Sequence, residues 1–97
     1  MTSLRFEWDP AKAASNLAKH GILFETAARV FDDVHGQHFV DRSMTYGEER
    51  LMGIAIVDGA VLTIVYTERG DTIRLISARK ATRFEQRIYD EARTGDI

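Results

Sequence analysis

The chain has 97 residues, no cysteine, one proline and seven glycines; 44% of its residues are hydrophobic, 29% are charged, and its net charge is −2. Those values fit one globular domain over residues 1–97 with a modest core, and they exclude disordered, collagen-like and disulfide-stapled scaffolds. The missing cysteine removes thiolate zinc sites and cysteine nucleophiles and fits a reducing cytoplasm, the expected location. No apolar run approaches the roughly 18–20 residues that span a bilayer, and the opening residues lack the apolar stretch of a signal peptide.

Residues 4–8 read as a short strand, with Phe6 and Trp8 on one face and Arg5 and Glu7 on the other. Asp9 and Pro10 open a helix as N-cap and first helical residue. Gly21 closes it, with Lys19 and His20 at the negative end of its dipole. Phe24, Ala27, Ala28 and Phe31 make the apolar stripe of a second helix ending near Asp32 and Asp33. The period then changes from 3.6 to 2. Residues 37–41 and 50–57 are strand candidates, and Gly53 marks a place for a bulge in the second. Asp58-Gly59 is a two-residue hairpin turn, residues 61–67 are the strand richest in β-branched side chains, and residues 72–78 return after a turn at residues 69–71. Thr82 and Glu85 have capping-box spacing, and Phe84, Ile88, Tyr89 and Ala92 line one face of a final helix. The order β-α-α-β-β-β-β-α implies a mainly antiparallel sheet with helices on one face, an α+β fold of two layers.

The charge is unevenly spread. Between residues 20 and 49, Glu25, Asp32, Asp33, Asp41, Glu48 and Glu49 face only Arg29 and Arg42. Between residues 69 and 93, Arg69, Arg74, Arg79, Lys80, Arg83, Arg87 and Arg93 outnumber Asp71, Glu85, Asp90 and Glu91. Arginine is the commoner base, and its planar fork suits phosphate oxygens, although a solvated charged surface is the plainer reading.

Two constellations can carry chemistry. Lys12, Asn16, Lys19 and His20 share one helical face, where three polar donors could hold a phosphate and an imidazole could move a proton. The competing reading is a solvated face whose last two bases complement the helix dipole. The second constellation is the arginine series. Arg69 lies at a turn and Arg74 inside an apolar strand. Arg79 stands at that strand's end, and alternation puts it with Ser77 on the face opposite Arg74 unless a bulge intervenes. For Arg74 and Arg79 the structural alternative is an ion pair with Glu49, Glu68 or Glu85. No nucleotide fingerprint or zincin motif is present, and His20, His35 and His38 lack the spacing of helical metal ligands. Such parts suit RNA cleavage without metal or cofactor: a base deprotonates the 2′-hydroxyl, arginines stabilise the phosphorane charge, and an acid protonates the leaving oxygen.

The stretch Phe6-Glu7-Trp8-Asp9-Pro10-Ala11-Lys12, then Asn16, Lys19-His20-Gly21, Phe24, Ala27 and Val30-Phe31-Asp32-Asp33, resembles the opening of the BrnT family of type II toxins. Gly47-Glu48-Glu49-Arg50, Tyr66-Thr67-Glu68-Arg69-Gly70 and Ile73-Arg74-Leu75-Ile76-Ser77-Ala78-Arg79-Lys80-Ala81, with Glu85 and Tyr89, resembles the remainder. Val34 departs from the pattern, standing where many members have proline. The resemblance implies a RelE-like fold, a ribonuclease that stops translation, and a BrnA-type antitoxin through which operator DNA is bound indirectly. It carries Lys19, His20, Arg69, Arg74 and Arg79 as catalytic candidates. Lys12, Lys80, Arg83 and Arg87 are the candidate RNA contacts. A non-catalytic protein- or DNA-binding module, acting as co-repressor with its partner, is the rival expectation.

Overall fold

The computed structural model describes residues 4–41 and 49–95. Its elements are β1 (Arg5–Glu7), α1 (Pro10–His20), α2 (Phe24–Ala27) running into a 3₁₀ turn (Ala28–Asp32), β2 (Gln37–Val40), β3 (Leu51–Val57), β4 (Ala60–Arg69), β5 (Thr72–Lys80) and α3 (Arg83–Thr94). That is the expected order, and the local signals act as expected. Asp9 Oδ1 accepts from the Ala11 amide at 2.8 Å, and Gly21 closes α1 at φ 71° with its N–H on the Leu17 carbonyl. Asp58 and Gly59 take φ 51° and 84°, the left-handed pair that a tight hairpin between twisted strands requires. The Gly47-Glu48 part of the sequence motif lies outside the described residues.

The sheet runs β1-β5-β4-β3-β2. Its four later strands pair antiparallel, while β1 pairs parallel with β5. The sheet is therefore mixed: α1 and α2 carry the chain from one edge to the other, as a crossover must.

Helices cover both faces, which corrects the two-layer expectation. On one face Phe24, Ala27 and Val30 pack against Ala55, Leu62, Ile64, Tyr66, Ile73, Leu75 and Ala78. On the other, Tyr89 and Ile88 of α3 pack against Ile54 and Val61. The cause is visible in β3 and β4, whose consecutive residues Ile54 and Ala55, and Val61 and Leu62, are all buried. A strand apolar on both sides needs cover on both. Phe84 is also corrected: it is 69% exposed. Glu85 occupies the inner face of α3 together with Tyr89.

Gly53 holds no bulge, since pairing runs unbroken from Leu51↔Tyr66 to Val57↔Ala60. It makes room instead for the His38 ring, whose Nδ1 would lie 2.9 Å from a Cβ at that position. The irregularity is on β5, where Ser77 pairs with Val65 and Leu75 with Tyr66, leaving Ile76 without a partner.

Candidate nucleic-acid interface along β5

The extra residue at Ile76 changes which side chains share a face. Ile73, Leu75 and Ala78 all enter the core under α2. Arg74, Ser77 and Arg79 pair with Thr67, Val65 and Thr63, which alternate onto the opposite face of β4. Arg74 and Arg79 thus lie on one side, with Ser77 between them. Arg79 belongs to β5 itself, one residue before its end.

Alongside β5, β1 pairs only as far as Arg74, so the backbone of Ala78 is left open at the edge. Asn16 fills it. Its Nδ2 donates to the Ala78 carbonyl at 2.9 Å and its Oδ1 accepts from the Ala78 amide at 3.0 Å. The same Nδ2 donates to the Ile22 carbonyl at 3.1 Å. Asn16 is buried at 6% exposure, so it stands outside any set of phosphate donors. Its role is to lock α1 against β5. With Asn16 fixed, Lys12, Ser15, Lys19 and His20 line a cleft of about 190 Å³ whose other wall is Ile76 and Ser77. Lys12, Lys19 and His20 are exposed and enter no ion pair among the described residues. Ser77 belongs both to this cleft and to the arginine face, so the two constellations adjoin along one strand.

The remaining candidates are differently placed. Arg74 Nη1 donates to Glu7 Oε2 at 2.8 Å, a partner outside the expected Glu49, Glu68 and Glu85 because β1 pairs in parallel beside β5, and Arg69 approaches the same oxygen at 3.8 Å. Arg79 grips Glu85 with two hydrogen bonds of 2.7 and 2.9 Å. Glu85 Oε1 also accepts from the Thr63 hydroxyl at 2.8 Å and the Thr82 amide at 2.9 Å. Of the alternatives left open for Arg79, the structure selects Glu85. The Arg79 guanidinium, with these donors, holds the Glu85 carboxyl down at about 2 against the burial that opposes its charge. Arg83 and Arg87 are exposed and lie on the side of α3 away from Glu85 and Tyr89, so they do not converge on Arg74. Lys80 lines a separate hollow with Gly21, Leu23 and Leu62.

One pair escaped sequence reasoning. His38 Nδ1 and the Tyr66 hydroxyl are 2.8 Å apart, and the His38 ring stacks on Phe31 at 5.3 Å between centroids. Burial lowers the His38 pKa, and burial with the Glu68 charge pushes Tyr66 up to about 12. The available signal was the glycine opposite: a strand register pairing His38 with Gly53 leaves space for a ring. Among the described residues no group of three His, Asp or Glu side chains is placed to hold a metal ion. No described helix is long and apolar enough to cross a membrane.

A compact α+β domain with a band of bases along one strand has the equipment to handle nucleic acid. Residues 8–85 match the family described as ribonuclease toxin, BrnT, of type II toxin–antitoxin systems. The chain belongs to that family. Membership implies an RNA target and a protein antitoxin. No curated protein matches the sequence.

Proposed function

We propose that the chain is an endoribonuclease that works without metal, binding RNA along β5 and inhibiting translation in the cytoplasm until a BrnA-type antitoxin neutralises it. The observation that carries this reading is the cleft of Lys12, Lys19 and His20 against Ser77, in which three bases stand without acidic partners among the described residues. Ammonium groups there attract the phosphodiester backbone without reading sequence. Lys19 and His20 are the groups that take the proton from a 2′-hydroxyl and return one to the 5′-oxygen. The new 2′-O–P bond forms as the P–O5′ bond breaks, leaving a 2′,3′-cyclic phosphate and a 5′-hydroxyl. Arg74, with Arg69 near the same carboxylate, supplies positive charge for the nonbridging oxygens once phosphate displaces Glu7. Arg79 acts through Glu85, as a positioning residue that keeps β5 and α3 in place. A mixed sheet with two N-terminal helices on one face supports the RelE-like assignment.

The test is digestion of RNA by the purified chain, with and without a chelator, followed by analysis of the new ends. Cleavage that survives chelation and yields cyclic phosphates is expected. Cleavage that stops and returns with a divalent ion overturns the metal-free mechanism, and no cleavage under any condition favours the co-repressor reading.

A further inference from the structure

The sheet protects its edges unequally. The open edge of β5 is filled by Asn16 on both backbone groups of Ala78. Past the end of β2, the edge of β3 is filled by Asp33 Oδ2, which accepts from the Ile56 amide at 2.9 Å. The outermost β1 is three residues long and carries Arg5 and Glu7, and short charged strands make poor templates. Among the described residues, β2 has no such device. The Asp41 amide donates to the Arg50 carbonyl at 2.8 Å, and the pairing continues through Phe39↔Met52 and Gln37↔Ile54. Antiparallel alternation then turns the N–H and C=O of His38 and Val40 outward. Among the described residues, no hydrogen bond uses them. Phe39 and Val40 beside them are 40% and 42% exposed.

We infer that the edge of β2 is the docking site of an extended segment of the antitoxin, which adds a strand to the five of the sheet. The identity of the occupant rests on the toxin reading above; its chemistry rests on the edge. Outward backbone groups require a strand, because only a strand offers donors and acceptors at the matching repeat. Phe39 and Val40 project to opposite faces and ask for apolar side chains on each side of that segment. Asp32 precedes β2 and Glu49 follows it, but Arg50 lies opposite Asp41 at the same end, so charge at this edge is mixed and the segment is selected by its backbone and its apolar side chains. This edge is distinct from the basic band on β5.

Val40→Pro isolates the contact. Its amide points away from β3, so proline removes no bond of the free sheet, while its ring and missing donor obstruct an added strand. A BrnA-type antitoxin is titrated against wild type and variant, with RNA cleavage and melting temperature measured on the same samples. Antitoxin affinity should fall at least about tenfold with cleavage unchanged. In the wild-type complex, the His38 and Val40 amides should exchange with deuterium far more slowly than in the free chain. Unchanged affinity of a folded variant, or amides that exchange equally fast in the complex, overturns the inference. So does a wild-type chain that is dimeric by itself and made monomeric by Val40→Pro, since the occupant is then a second copy. If the variant fails to fold, the wild-type exchange measurement decides alone. A chain that binds antitoxin at this edge yet cleaves no RNA overturns the proposed function and leaves the docking site standing.

Discussion

Asn16 and Ala78, 62 positions apart, are joined as two strands would be: the side-chain amide of one pairs with both backbone groups of the other, at 2.9 and 3.0 Å. One buried amide thereby ends the sheet and sets the distance between Lys19, His20 and Ser77. Asn16→Ala leaves the Ala78 amide and carbonyl without partners in a buried place. The expected loss is about 2–3 kcal/mol of stability, together with RNA cleavage. Denaturant unfolding and cleavage rate, measured on the same variant, check it; a variant as stable as wild type would mean that α1 is held by other contacts.

Arg79 and Glu85 give a second prediction. Arg79→Ala leaves a carboxylate at the inner face of α3 without its guanidinium, with an expected cost of about 2–3 kcal/mol, less than for a fully enclosed pair because Arg79 is 35% exposed. The sign of the pH dependence follows from the Glu85 carboxyl, which lies at about 2 in the fold against 4.5 ordinarily. The unfolded chain takes up the proton first as the medium is acidified. The stability from Glu85 is complete above about pH 4.5 and is lost as pH falls from there towards 2. Glu85→Gln should flatten that part of the stability profile, as acid titrations of melting temperature would show.

Gly53 tests the packing of His38. A methyl at residue 53 would meet His38 Nδ1 at 2.9 Å and Ile64 Cγ1 at 3.3 Å. Gly53→Ala should destabilise by about 1–3 kcal/mol, and His38→Ala in the same chain should recover part of the loss. Because burial lowers the His38 pKa from 6.5, the unfolded chain is protonated first here too. His38 therefore adds stability above about pH 6.5 that is lost as pH falls below it. A double variant no more stable than Gly53→Ala alone would show that the ring is not the obstruction.

A fourth prediction concerns the tie between α3 and the opposite layer. The Tyr89 hydroxyl donates to Asp33 Oδ2 at 2.6 Å, while the same carboxylate accepts from the Ile56 and His35 amides. Burial opposes the Asp33 charge, yet these donors keep its pKa below the ordinary value. Burial and that carboxylate push Tyr89 up to about 12. Tyr89→Phe removes one donor of three and should cost about 1–2 kcal/mol. Asp33→Ala also uncovers the β3 edge and should cost more; equal losses in thermal unfolding would deny Asp33 its role at the edge.

Features that act within a few residues were legible in the sequence. Asp9, Pro10 and Gly21 bound α1, Thr82 and Glu85 make a capping box, and Asp58-Gly59 turns the hairpin. Their physics is local, so spacing suffices. What escaped depends on partners far along the chain. Alternation on β5 cannot reveal that Ile76 is skipped, since that is decided by pairing with β4. Asn16 has the same helical spacing as Lys12 and Lys19, and only the open backbone of Ala78 separates its role from theirs. The side of the sheet taken by α3 was encoded in the two-faced burial of residues 54–55 and 61–62, which a reading by strand existence alone passes over.

The central claim is that the bases of α1 beside Ser77 do the chemistry on RNA, and one paired measurement tests it most directly. Lys19→Ala and His20→Gln, singly and together, are assayed for RNA cleavage rate and melting temperature on the same purified samples. Both side chains are exposed, so melting should shift by no more than surface substitutions do. Loss of a positioned proton-transfer group should lower cleavage by about a hundredfold or more. A double variant that melts as wild type does and cleaves RNA at the wild-type rate would contradict the claim and remove this cleft from the reaction.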